Sequence, residues 1–499
     1  MFHGFFHILI LFFATTSRFA FLTLFVVPLL VILLNALWQV LAPRKASDPP
    51  SVFHWLPFVG SALSYGDDPV KFFIACREKY GDVFAFTLFG RRITATLGAK
   101  GNNFVLGGKF TVFNAEDAYA VFMEQKRFAK VGLIHDNFRA YLGMIEEEID
   151  DYLKNDPVLH VYQLNDTKRW RWSSFDVCKV LQEITILTAS RTLQSKEVRE
   201  GLDKTFSTLF NDLDGGFTPI SFLLPNLPLP NFRRRDNAQA KMSKFYTDII
   251  RKRRERGTVD EPDMGEALMQ QSYRNGEKLR DHEIAHLMNT LLIAGRHTSA
   301  SSGAWAMLHL AANTDIADAL YEEQVKHFGT PDGKSRPMTY EELRALPLLD
   351  SVIRETLRMH PPIHSIMRGV RDDVAIPATL GAPSEDITYV VPKGHWVLAS
   401  PLISQTDPDV WKDPLMWDPY RWNDPKGVAA QAFATYTDNM GEKIDYGFGA
   451  VSKGTESPYQ PFGADAYLNA KDAQEYSVQA KAVITALSEH TAPVLVYHE

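Results

Sequence analysis

The chain has 499 residues, 45% of them hydrophobic and 23% charged, the balance of a globular protein with a sizeable core. Its 53 basic and 60 acidic residues give a formal charge of −7, which excludes the basic excess of a nucleic-acid-binding protein. The two cysteines, Cys76 and Cys178, exclude a disulfide framework, and neither has zinc-ligand spacing.

Residues 19–41 form an almost uncharged apolar run of 23 residues, enough to cross a hydrocarbon core of about 30 Å. Trp38 suits the interface near its end, and Arg44 and Lys45 beyond it suit the cytosolic side, although Arg18 flanks the other end. No small-residue cleavage site follows before Pro43, so residues 1–45 read as an uncleaved single-pass anchor with membrane lipid as partner. The apolar stretch 5–13 could lie in the membrane surface. Pro43, Pro49 and Pro50 then make a short, stiff linker.

The body is predicted to be mainly α with a smaller β portion and no internal repeats. A helix is expected over 71–80, followed by a hairpin over 83–97 that turns at Gly90. The proline-rich, apolar loop 216–230 either packs inside or dips into the membrane. Behind it, Arg233-Arg234-Arg235 and Arg251-Lys252-Arg253-Arg254 read as a solvated helix face or as headgroup contacts. A long helix is expected from about 282 to 312. Another runs from about 346 to 359 and stops before Pro361-Pro362, which cannot continue it.

The long helix carries Ala294-Gly295-Arg296-His297-Thr298-Ser299. Glycine there lets a small ligand approach the backbone. The neighbouring hydroxyl can bond a carbonyl four residues back or donate to bound dioxygen. Alone, this pattern is common in helices. Glu355-Thr356-Leu357-Arg358 places opposite charges one turn apart, but so do Glu124/Arg127, Glu277/Arg280 and Glu341/Arg344. Its company distinguishes it: Pro361-Pro362, then His364-Ser365-Ile366-Met367-Arg368, then Trp417-Asp418-Pro419-Tyr420-Arg421-Trp422.

With Pro461-Phe462-Gly463, this ordered set resembles the cytochrome P-450 family, and most closely the fungal sterol 14α-demethylases. The resemblance covers about residues 50–464 and is carried by segments 123–128, 216–230, 294–299, 364–368 and 443–463. It implies a cytochrome P-450-like domain, haem b as cofactor, a sterol substrate and an NADPH-cytochrome P-450 reductase as electron donor. It also implies an endoplasmic reticulum membrane location with the catalytic domain cytosolic. At matching positions, Thr298 with His297 would help deliver protons, and Lys126 and Arg368 would bind haem propionates. Ala294, His364, Ser365 and Met367 would line the sterol pocket. Glu355, Arg358 and Arg421 would form a buried ionic cluster. Arg296 stands where these enzymes usually carry a neutral amide.

The resemblance breaks twice. Beyond Pro461-Phe462-Gly463-Ala464 the family continues into a glycine-rich loop with the axial cysteine; here Asp465-Ala466-Tyr467 follows and no cysteine occurs through Glu499. Residues 465–499 therefore read as an unrelated tail on a domain incomplete at its carboxy-terminal end. The metal ligand is missing, and neither Cys76 nor Cys178 is placed to replace it. Between Phe122 and Met123 a substrate-recognition segment of the family is also missing. The expectation is a sterol 14α-demethylase by descent, inactive as written. The alternative is a non-catalytic, truncated, membrane-anchored variant with at most residual sterol binding. His490 or His498 as a replacement ligand has no support from spacing.

Overall fold

Cap and turn chemistry sets the first elements of the computed structural model, which describes residues 26–108, 111–114, 128, 135–156, 175–202, 204–216, 221, 226–257, 263–273, 275–331 and 335–423. The described residues divide into two units: those of 26–114 with 365–404, and those of 128–364 with 405–423.

The first unit opens with α1, Val27–Leu41, none of whose residues is buried. Its 15 residues rise about 22 Å, short of a hydrocarbon core of roughly 30 Å. Among the described residues no helix is long and apolar enough to cross a membrane; residues 19–25 of the expected span lie outside them. The helix is clasped by its two amides. Asn35 Nδ2 donates to the carbonyls of His54 and Trp55 at 2.9 and 3.0 Å, and Gln39 both donates to His54 O and accepts its N–H, at 2.7 and 3.1 Å.

After α2, Ala62–Asp67, helix α3 spans Pro69–Tyr80. Asp68 caps it by accepting the Lys71 N–H, proline opens it and Gly81 at φ +85° ends it. Strands β1, Val83–Leu88, and β2, Arg91–Thr96, form the expected hairpin. Phe89 and Gly90 have φ of 49° and 73°, the paired left-handed geometry that matches strand twist. A helix, α4 (Gly98–Leu106), and the short β3 (Phe113–Asn114) follow. Late in the chain come β4 (Ile366–Val370), β5 (Val374–Ala375), β6 (Val390–Val391) and β7 (Trp396–Ala399). The main sheet has the order β1-β2-β7-β4-β3, with β7 parallel to β2 and antiparallel to β4, while β5 and β6 pair alone. Phe72, Phe73 and Phe86 pack around Tyr65, and Phe84 packs on Phe72 and Phe86, as a set of tilted and edge-on rings.

The second unit is helical: α5 (His135–Asn155), α6 (Val177–Ala189), α7 (Lys196–Gly201), α8 (Lys204–Asp214), α9 (Pro230–Arg256), α10 (Met264–Met269), α11 (Asp281–Ala312), α12 (Thr314–Phe328), α13 (Tyr340–Arg344) and α14 (Pro347–Met359). Helix α11 is its spine. Leu292 and Ile293 pack with Ile186 of α6, Phe210 of α8 and Met242 of α9, and Ile284 and Met288 pack with Tyr246, Ile250 and Leu268. A π-helical turn, Ser190–Gln194, brings Gln194 against α11, where its amide donates to Met288 O and accepts from Tyr246 OH.

The molecule is thus mainly helical with a smaller sheet portion. The basic clusters lie on α9, and Arg253 departs from both expectations for them. It is buried and paired with Asp263 at 2.8 Å and with Glu197.

Candidate functional site

Burial of α11 on several sides leaves its motif between packed helices. Thr298 Oγ1 donates to Ala294 O at 2.8 Å, the back-bond that its spacing allows. A Cβ placed on Gly295 would meet nothing within 4 Å, so this stretch of the helix borders open space. Next to it, Arg296 turns inward. Its guanidinium donates to Asp214 Oδ2 at 2.9 Å, Gln182 Oε1 at 2.7 Å and Asn211 Oδ1 at 2.9 Å. His297 Nε2 reaches the same Asp214 oxygen at 2.8 Å. One carboxylate oxygen therefore serves two neighbours of the motif.

Helix α14 supplies a second constellation. Glu355 and Arg358 are one turn apart with side chains fully excluded from solvent, joined by two bonds of 2.9 Å. Arg421 Nε donates to Glu355 Oε1 at 2.9 Å, and the Asp418 N–H and Trp422 Nε1 donate to the same carboxylate at 3.0 Å. Burial alone would raise the Glu355 carboxyl; Arg358, the Asp418 amide and Arg421 hold it below the ordinary carboxylate range. Arg358 Nη1 also donates to the carbonyls of Gln405 and Pro414. The cluster fixes segment 405–422 on α14, and every partner in it is structural in kind.

Beside this cluster lies a ring stack. His309 and His360 share a hydrogen bond of 2.9 Å between their Nε2 atoms, so one donates and the other accepts. Trp305 stacks on His360 at 3.7 Å and Trp417 on His309 at 4.9 Å. Burial pushes His309 down to about 4, and burial with the neighbouring His309 and Arg358 pushes His360 down to about 3. Both are neutral imidazoles near pH 7.

The remaining sequence-predicted residues divide between the units. In the helical unit, His364 is buried, and that burial pushes it down to about 4. In the sheet unit, Met367 and Arg368 lie on β4 opposite Leu398 and Val397 of β7, Ser365 just precedes the strand, and Ser365 and Arg368 are buried. Lys126, the join between Phe122 and Met123, segment 443–463 and the tail 465–499 lie outside the described residues. Cys76 is buried on α3, where desolvation raises its thiol to about 11. Cys178 sits in the first turn of α6, accepting from Gln182 Nε2 at 3.6 Å.

Sequence reasoning missed Asp214, Asn211 and Gln182, which lie 82 to 114 residues from Arg296. No local pattern marks them. Trp422 was findable, because it directly follows Arg421 in the quoted segment. The His309–His360 pair was partly findable, since His360 precedes the two prolines, but the partner 51 residues away was not.

The cytochrome P450 family profile matches residues 161–464. The lanosterol 14-alpha demethylase of Mycosarcoma maydis is 47% identical over 472 residues, covering 88% of this chain and 82% of that protein. The sterol 14-alpha demethylase of Aspergillus fumigatus is 43% identical over 461 residues, covering 87% and 84%. The eburicol 14-alpha-demethylase of Uncinula necator is 42% identical over 460 residues, covering 88% and 83%. Among solved structures, retinoic acid bound cyanobacterial CYP120A1 is similar in fold, with a TM-score of 0.64 at 21% identity, over 89% of this chain and 92% of that one.

Proposed function

Because the chain belongs to the cytochrome P450 family, with fungal sterol 14α-demethylases as close relatives, we propose that it is by descent a sterol 14α-demethylase. The observation that carries this reading is the 47% identity to a lanosterol 14-alpha demethylase over 82% of that protein's length. In this reading Ala294, His364, Ser365 and Met367 line the space for the sterol. Thr298, with His297 as its polar neighbour, helps deliver protons, and a reductase that draws on NADPH supplies electrons. Arg368 and Lys126 are the cations for haem propionates.

Haem iron is the family's cofactor, and it supplies the oxygen-activating chemistry when bound. The cysteines of this chain do not fit its axial ligand. A ligating sulfur must be a thiolate, whereas burial drives the Cys76 thiol up to about 11, and Cys178 sits in a helix turn against Gln182. No other cysteine occurs in the 499 residues. This observation favours a second reading for the chain as written: a protein with the demethylase frame, residual sterol affinity and no monooxygenase turnover.

The run 19–41 is proposed as a single-pass anchor in the endoplasmic reticulum membrane with the folded body cytosolic. The exposed apolar side chains of α1, among them Leu29, Leu30, Leu33, Leu34 and Leu37, support it.

Two measurements test these readings. Purified protein reconstituted with haem is expected to give no thiolate-type ferrous–CO band; appearance of that band overturns the second reading. Lanosterol or eburicol is expected to quench tryptophan fluorescence saturably, and a linear, non-saturable response sinks the sterol reading.

A further inference from the structure

Arg296 is the buried charge in α11 that neither reading uses. Its side chain is 4% exposed, against 23% for Asp214 and 26% for His297. A guanidinium buried to this degree needs partners, and its two Nη groups reach two other helices, Gln182 on α6 and Asn211 and Asp214 on the last turn of α8, while its buried Nε makes no hydrogen bond among the described residues. That turn is also the base of the apolar loop 216–230. Gly215 N–H closes on Asn211 O at 2.9 Å, and Asn231 at the start of α9 donates to Gly215 O at 3.2 Å. The two ends of the loop therefore meet where the Arg296 contacts end.

We propose that Arg296 is a positioning residue that pins the end of α8 and the base of loop 216–230 to α11, holding Asp214 against His297. The chemistry follows from the shared oxygen. Arginine stays charged throughout the working pH range and binds through a rigid fork. The fork reaches Asp214, Asn211 and Gln182 together, whereas His297 reaches Asp214 alone, so Arg296 is the wider tie between α11 and the end of α8. The other charged groups around this point are already engaged. Asp212 of α8 faces Arg234 of α9 at 3.6 Å, Arg235 of α9 pairs with Asp236 at 2.7 Å, and Glu183 of α6 accepts from Tyr152 OH at 2.8 Å. These contacts lie within the protein and need no bound haem and no turnover.

Hydrogen exchange of the full-length protein in detergent, followed in peptides over 209–216 and corrected for intrinsic rates at pH 6 and pH 8, tests it. Wild-type protection is expected to be equal at the two pH values. His297→Asn should leave it within about twofold, because the charged fork remains. Arg296→Gln should lower it by about tenfold or more at both pH values, the loss of a charge-assisted contact, while protection over 83–97 is unchanged. Unchanged protection in Arg296→Gln, or a larger loss in His297→Asn than in Arg296→Gln, would overturn the proposal. Should Arg296→Gln unfold, shown by lost protection over 83–97 as well, Arg296→Lys decides. The point charge without the fork should lower protection over 209–216 while leaving 83–97 unchanged, and full wild-type protection over 209–216 in that variant refutes the pin.

Discussion

At the scale of single residues, the His309–His360 pair has a consequence that can be signed. Both imidazoles are neutral in the fold, because burial, and for His360 the adjacent His309 and Arg358, depress them from an ordinary value near 6.5 to about 4 and about 3. The unfolded chain therefore binds protons that the folded chain refuses once pH falls below about 6.5. Stability from this source is complete above that value and is lost as pH falls towards the folded values. Between pH 7 and pH 5 one such histidine costs about 2 kcal/mol. Urea denaturation at the two pH values is expected to show this loss in the wild type. His309→Gln, which keeps a hydrogen-bonding amide but cannot titrate, should lose about 2 kcal/mol less between them. Identical losses in the two proteins would remove the pair from the account.

At the scale of elements, α14 separates what local sequence can state from what it cannot. Its face, its opening Pro347 and its stop before Pro361 are written in adjacent residues, and the helix forms at Pro347–Met359. The opposite charges of Glu355 and Arg358 were equally legible, yet the same spacing elsewhere led to different partners. Glu341 bonds Arg139 at 2.6 Å on the surface, and Arg280 bonds Glu283 at 3.0 Å. Only the company of the later segments singled out Glu355. The carbonyls that Arg358 reaches, those of Gln405 and Pro414, and the Asp214 carboxylate under Arg296, were invisible because tertiary contacts chose them. The hairpin at Phe89-Gly90 lies at the other extreme, since one turn dictates it. A thermodynamic contrast follows. Glu355→Gln leaves Arg358 and Arg421 without their buried anion and is expected to cost roughly 3–5 kcal/mol in chemical denaturation. Glu341→Gln, on the surface pair, should leave stability unchanged. A Glu355→Gln protein as stable as the Glu341→Gln one would show that α14 docks segment 405–422 without the ion cluster.

At the scale of the whole molecule, α1 presents an apolar surface that folding does not use. Leu30, Leu34 and Leu37 are each more than half exposed and recur at helical spacing, while Asn35 and Gln39 bind the backbone at residues 54–55. Phe53 and Trp55, also exposed, flank those carbonyls and pack edge to face at 5.1 Å. Exposed leucines contribute little to folding, whereas transfer of each into an apolar phase is worth roughly 1.5–3 kcal/mol. The proposed anchor and the folded body should therefore respond separately to substitution. Replacing Leu30, Leu34 and Leu37 together by Gln is expected to leave the urea midpoint unchanged and to weaken partition onto phospholipid vesicles by about a hundredfold or more. The two readouts constrain each other. A lower midpoint would mean that these leucines pack against the protein rather than face lipid. Unaltered vesicle binding would move the membrane contact away from α1, to residues 1–25 or to the loop 216–230.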